Sequence, residues 1–331
     1  MRKQSLLLTA VVLFLALLCA HSYKVKTAGV PRQNPPKQRQ NAPQKVEPEE
    51  PESEEPEEPE HHAHNISVKI PTYLDYSGVI QQCKTWNQEA AEITEIGTYG
   101  KSSQGQSIYY FRINAGKKDS PKVLITSCIH GNEPWATGCV MGYIGTLLDQ
   151  YGKNKEITKL LDQRDIYFVP VVSPDSYPHS RHIDGVDPNR DFPGPSRPNH
   201  RSTPSVAALQ KFFLDIRPKA VISGHTYGRV YLTPFGDTAQ PHPQEQDYQR
   251  IVGEMAQLSN YRTQHCHEIY GRPIYGSEID WFCRNGAFAI VSEFGTHQRK
   301  PSHEEIKSEF ERTFKAALLF IKEAPIVTRH N

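Results

Sequence analysis

The sequence has no surplus of either charge: 38 Lys and Arg stand against 37 Asp and Glu, a formal net charge of +1 over 331 residues. The basic excess that would favour nucleic acid or an anionic membrane surface is missing, so no nucleic-acid partner is expected. The apolar run from Leu6 to Leu18 is short of the roughly 20 residues that cross a bilayer. None of the six cysteines has a C-x-x-C neighbour, which argues against a zinc ribbon or a dithiol redox pair. No Gly-x-Ser-x-Gly elbow occurs, which argues against a serine hydrolase. Gly100-Lys101-Ser102 has the ending of a phosphate loop, but Glu95 stands where its first glycine is required. No repeat of fixed period is apparent.

What is present begins with a targeting pattern. Met1-Arg2-Lys3 is basic, the short apolar run follows, and Ala20 and Ser22 are small. Residues 1–22 are therefore expected to be a signal peptide, leaving a secreted or periplasmic protein with no membrane span after cleavage. Cleavage would remove Cys19 and leave Cys83, Cys128, Cys139, Cys266 and Cys283, an odd number. These are expected in the core, with one or two disulfides among them.

Residues 23–64 form a second compositional zone. From Lys24 to Glu60 the chain is rich in Pro, Gln and Lys and then in Glu-Pro repeats, with no aromatic residue after Tyr23. Such a segment buries too little apolar surface to offset its ordering entropy and reads as an extended, charged tether. His61, His62 and His64 read as its exposed end rather than as a metal site. Asn65-Ile66-Ser67 fits a glycosylation acceptor.

Residues 65–331 alternate strand-like and helix-like stretches, the pattern of an α/β domain. Val123 to Thr126, Ile166 to Val172, Ala220 to Ser223 and Ala287 to Ser292 read as central strands. Gly138 to Tyr151, Val206 to Leu214 and Glu304 to Lys322 read as helices.

His130-Gly131-Asn132-Glu133 follows the first of these strands at the entry to a helix. A His and a Glu three residues apart at such a junction can turn an imidazole and a carboxylate toward one point, as a catalytic zinc requires. A catalytic zinc takes three protein ligands and keeps one position open, so a third ligand is needed downstream. His225, just beyond the run Ala220 to Ser223, should project from a strand end of the same sheet, where open α/β sheets place their ligands.

Further segments match a family pattern in order. They are Ile96-Gly97, Gly100 to Gln106, His130 to Glu133, Ser173-Pro174-Asp175, Asp187 to Phe192, His225-Thr226-Tyr227 with Pro234-Phe235-Gly236, Ile279-Asp280-Trp281, and Ser292 to Gly295. Over about Ile93 to Ile321 the chain resembles the zinc metallocarboxypeptidases of the carboxypeptidase A-like clan, which includes murein-peptide amidases. In that clan a His, Glu, His ligand set is a known pattern. The resemblance implies one α/β domain with a central mixed, mostly parallel sheet and helices on both faces. It also implies one Zn2+ held by His130, Glu133 and His225, and a peptide substrate with a free C-terminal carboxylate.

Roles follow from what the reaction needs. Glu293 is the candidate general base, Arg190 with Asn189 the candidate grip on the terminal carboxylate, and Arg181, by loop position only, the candidate oxyanion partner. A salt bridge is the alternative for Arg181. Tyr270 or Tyr275 stands for the family's mobile tyrosine, with Tyr270 preferred. Ile279 points to an apolar or neutral side-chain pocket, while Arg272 nearby leaves acidic side chains open. Two other classes remain: a zinc amidase or deacylase acting on cell-wall peptides or small N-acyl amino acids, and a non-catalytic binding domain that kept the fold.

Overall fold

Among the described residues eight strands form one sheet. They are β1 (Thr94–Lys101), β2 (Ser107–Ile113), β3 (Lys122–Ser127), β4 (Asp165–Val169), β5 (Ala220–Thr226), β6 (Val230–Thr233), β7 (Arg262–His265) and β8 (Phe288–Phe294). The computed structural model describes residues 61–67, 74–116, 119–269, 271–298 and 300–326. The expected signal peptide and most of the expected tether lie outside these residues.

The strand order is β1-β2-β4-β3-β5-β8-β6-β7. The inner four strands run parallel, β6 is antiparallel to β8, and β1 and β2 add an antiparallel edge. This is the mixed, mostly parallel sheet expected. Strands β3, β4, β5 and β8 are nearly continuous apolar runs because both of their faces are covered.

The alternation along β3 shows how the layers divide. Val123 and Ile125 join the core on one face, and Leu124 joins the core on the other. The first face is covered by α1 (Tyr76–Glu89), α2 (Pro134–Gln150), α3 (Lys155–Asp162), α5 (Glu245–Ser259) and α8 (His303–Glu323). The second is covered by α4 (Pro204–Ile216) and α7 (Glu278–Arg284), with the short α6 (Cys266–Ile269) at its rim. Each fully buried Val, Leu, Ile or Phe in these layers contributes roughly 1.5–3 kcal/mol of transfer free energy. α8 starts from a capping box in which Ser302 and Glu305 satisfy each other's backbone N–H groups.

Several expectations shift. α2 begins at Pro134 rather than Gly138, because proline is tolerated at a first helical position, where its missing N–H is not needed. β4 ends at Val169 rather than Val172, since Pro170 cannot donate to the ladder. Among the described residues no disulfide forms: Cys83, Cys128, Cys139, Cys266 and Cys283 are all free and buried. Burial pushes the thiols of Cys83, Cys128 and Cys283 up to about 12, which makes them inert packing groups.

The histidine tract is also only partly exposed. His62 is exposed, but His61 Nδ1 lies 3.0 Å from the Tyr151 hydroxyl, and buried His64 stacks on the Tyr151 ring. Among the described residues no helix is long and apolar enough to cross a membrane.

Candidate active site

The chain leaves β3 at Ser127, passes through Cys128 in the left-handed region (φ 49°) and reaches His130. Gly131 is required next: a Cβ there would lie 2.3 Å from the Ser176 backbone. Glu133 then occupies the N-cap of α2 yet makes no side-chain cap. Its carboxylate turns instead to two imidazoles, with Oε1 2.9 Å from His130 Nδ1 and Oε2 3.0 Å from His225 Nδ1. The Thr226 N–H donates to the same Oε2 at 3.2 Å.

His225 comes from β5, and the parallel register sets it directly beside Glu293 of β8. β4 and β5 lie on opposite sides of β3, so the chain reverses direction across the sheet here. His130, His225 and Glu293 thus sit at carboxyl ends of parallel strands around a topological switch point, the usual ligand crevice of such sheets.

The metal-ligand atoms of His130, Glu133 and His225 all lie within 4.8 Å of one another, and all three residues are buried. Each imidazole turns its second nitrogen to another carboxylate. His130 Nε2 lies 3.0 Å from Asp187 Oδ1, and His225 Nε2 lies 2.6 Å from Glu278 Oε1. Burial alone would raise Glu133, but His130 and His225 hold its carboxyl below the ordinary range. Burial likewise opposes charge on His225, yet Glu133 and Glu278 hold its imidazolium well above the usual value.

A cleft of about 480 Å³ opens over this group. Arg181, Asn189, Arg190, Ile279 and Glu293 all line it, together with Val230, Leu232, Cys266, Ile269, Ile274 and Val291. Glu293 Oε2 is a buried oxygen with no hydrogen-bond partner. Burial pushes this carboxyl up to about 7. Arg181 reaches Asp187 through Nε at 3.1 Å and Glu133 through Nη1 at 3.6 Å, so it combines the cleft position with a salt bridge. The Asn189 amide oxygen accepts the Glu278 N–H at 2.9 Å, and the Arg190 guanidinium donates to the Asn189 carbonyl.

Beyond Arg190, the buried Asp191 carboxylate binds His200 and both polar groups of Thr203, which ties this loop to the start of α4. Tyr270 lies outside the described residues. Tyr275 is half exposed and lines a neighbouring cavity with Arg190, Arg197 and Arg272 rather than the main cleft.

Two residues escaped the sequence reading of roles. Asp187 was visible only as part of a matching segment, and Glu278 was not singled out at all. The one local signal at Glu278 is its place just inside the Ser277 cap of α7, where a solvent-facing acid would be ordinary.

A family model described as zinc carboxypeptidase matches residues 79–316. The chain belongs to the zinc carboxypeptidases. It is 25% identical over 251 residues to the mast cell carboxypeptidase A of Rattus norvegicus, covering 63% of this chain and 60% of that protein. It is 24% identical over 257 residues to the metallocarboxypeptidase A of Trichophyton rubrum, covering 63% and 59%. The chain thus spans about three-fifths of the length of these curated relatives.

In fold, this zinc carboxypeptidase is similar to the carboxypeptidase A of Helicoverpa armigera, with a TM-score of 0.68 at 17% identity over 80% of this chain and 76% of that one. The thrombin-activatable fibrinolysis inhibitor gives a TM-score of 0.70 at 17% identity, covering 77% and 75%.

Zinc, the family's metal, fits the donors present. Two imidazole nitrogens and a carboxylate oxygen are the ligand types it takes. Asp187 and Glu278 act as acceptors on the outer nitrogens, which turns both Nδ1 atoms inward, the arrangement that supports metal-bound histidines.

Proposed function

We propose that this zinc carboxypeptidase removes C-terminal residues with apolar side chains from peptides. One observation carries the reading: a single cleft joins the His130, Glu133 and His225 cluster to Glu293, to Arg190 and to a run of apolar walls. Zinc at the cluster would supply Lewis-acid polarisation of a carbonyl and acidify an attacking water. The remaining steps belong to the chain's own residues.

Glu293 is the group that accepts the proton of the attacking water, at its unpartnered Oε2, and returns it to the leaving nitrogen. Its raised pKa suits both transfers near neutral pH. Arg181 faces the oxygen that gains charge. Arg190 offers a planar fork to the terminal carboxylate, with Asn189 beside it.

Val230, Leu232, Ile274, Ile279 and Val291 give the side chain of the last residue an apolar seat and keep water from it. Arg272, the reason acidic residues stayed open, does not line this cleft, whereas Arg262 and Gln264 do and add a polar edge to it. We further propose export through the signal peptide at 1–22, with residues 23–60 as a tether.

Amidated peptides test the exopeptidase reading. Against a free-acid peptide ending in Phe, its C-terminal amide should be cleaved at least about a hundredfold more slowly, because it cannot accept the charge-assisted bidentate contact. Arg190→Ala should slow the acid and abolish most of the difference. Equal rates on acid and amide with the unaltered protein would favour an endopeptidase or a deacylase instead.

A further inference from the structure

We propose that Glu278 is a positioning residue for the metal centre, holding the His225 imidazole so that Nδ1 and not Nε2 faces the metal. The inference rests on the zinc reading of the cluster but concerns a residue outside the cluster and outside the cleft. Glu278 is the first residue of α7 and is fully buried at 0% exposure. Its Oε1 lies 2.6 Å from His225 Nε2 and accepts the Ser223 hydroxyl at 2.5 Å. Its Oε2 is buried with no partner.

A carboxyl group placed like this is expensive in the folded protein, since a buried oxygen without a hydrogen bond costs free energy that an apolar side chain would not. A helix N-terminus does not require it there, because Ser277 already caps α7 by accepting the Asp280 N–H. What only an acceptor at this point achieves is to fix the ring of His225. A proton on Nε2 bound to Glu278 leaves the Nδ1 lone pair directed at the site where Glu133 Oε2 lies 3.0 Å away.

The two imidazoles are supported unequally. Asp187, the partner of His130, is one-fifth exposed and shared with Arg181. Glu278 is sealed in the core, and Ser223, the other group on its Oε1, belongs to β5, the same strand as His225. The buried side should therefore set the geometry to which the cleft-side ligand adapts.

The test uses the full chain. Glu278→Gln keeps the side-chain shape and the backbone N–H that holds Asn189, but its amide can present a donor to Nε2 and so permit the wrong tautomer. Zinc affinity, read by competition with a chromophoric chelator, should fall by roughly 10- to 100-fold. The melting temperature of the metal-free protein should stay the same or rise. KM for a peptide at saturating zinc should hardly move.

A second measurement needs no variant: in the zinc-loaded protein, 15N-labelled histidine should show His225 protonated at Nε2 and metallated at Nδ1. Unchanged zinc affinity in a folded Glu278→Gln protein, or metallation of His225 through Nε2, would overturn the proposal. If the unaltered protein binds no zinc, the functional reading itself fails. If it binds zinc and the variant binds equally well, only the role of Glu278 fails.

Discussion

Glu293 gains its raised pKa from place rather than partner. The side chain ends the apolar stretch of β8, its Oε2 finds no donor, and burial pushes the carboxyl up to about 7. Glu293→Gln preserves shape while removing the base, so kcat should fall by on the order of a hundredfold or more. Zinc content and KM should be retained. Metal analysis and kinetics on one preparation separate the cases: lost zinc would make Glu293 a ligand or scaffold, and near-normal turnover would remove it from the mechanism. His130, Glu133, His225 and Glu293 were readable in sequence because each sits at or just beyond the end of an apolar strand, a position that period and motif both mark. Glu278 and Asp187 were not, because their meaning lies in contacts with histidines 53 and 57 residues away.

At the scale of elements, the strands and long helices were legible because their apolar runs are continuous or periodic. The misplaced ends trace to prolines, at Pro134 and Pro170, whose effect depends on which backbone N–H must be donated. The junction between α7 and the loop after β6 shows how one buried acid shapes the cleft wall. Asp280 accepts the Gly236 N–H at 2.9 Å and the Asp237 N–H at 3.1 Å, yet burial still pushes its carboxyl up to about 6. Since the folded value exceeds the unfolded one, the neutral acid is the form that folding favours. Its stabilising contribution is full below pH 4 and is lost as the pH rises through 6. That rise in the carboxyl's pKa corresponds to at most about 3 kcal/mol. Asp280→Asn keeps an acceptor and removes the titration. The difference in unfolding free energy between the original protein and the variant, measured by urea at pH 4 to 7, should shrink by about 2 kcal/mol across that range. A flat difference would show that the neighbouring Arg284 neutralises the charge after all.

For the whole molecule, the question is where the folded unit begins. Composition places the change near residue 64, and the Glu-Pro stretch before it has nothing to bury. His61 and His64, at and just before that change, already pack against the domain. His61 Nε2 lies 3.1 Å from an Asp162 oxygen, and His64 Nε2 lies 3.1 Å from Glu92, while both rings lie against Tyr151. Sequence could not mark this, because three histidines behind an acidic run look the same whether solvated or docked on a tyrosine in α2's C-cap. A chain lacking residues 23–60 retains all of these contacts, so its kcat/KM on a peptide should stay within about twofold and its melting temperature within about 2 °C. Extending the deletion through residue 64 removes the ring contacts and the two histidine pairs. That loss, on the order of 1 kcal/mol, should lower the melting temperature by roughly 2–4 °C without changing kcat, because none of these residues lines the cleft. Calorimetry and steady-state kinetics on the three chains decide the matter. A shorter deletion that already lowers kcat would mean that residues 23–60 contribute to the site, and equal melting temperatures for both deletions would mean that the histidine contacts carry no stability.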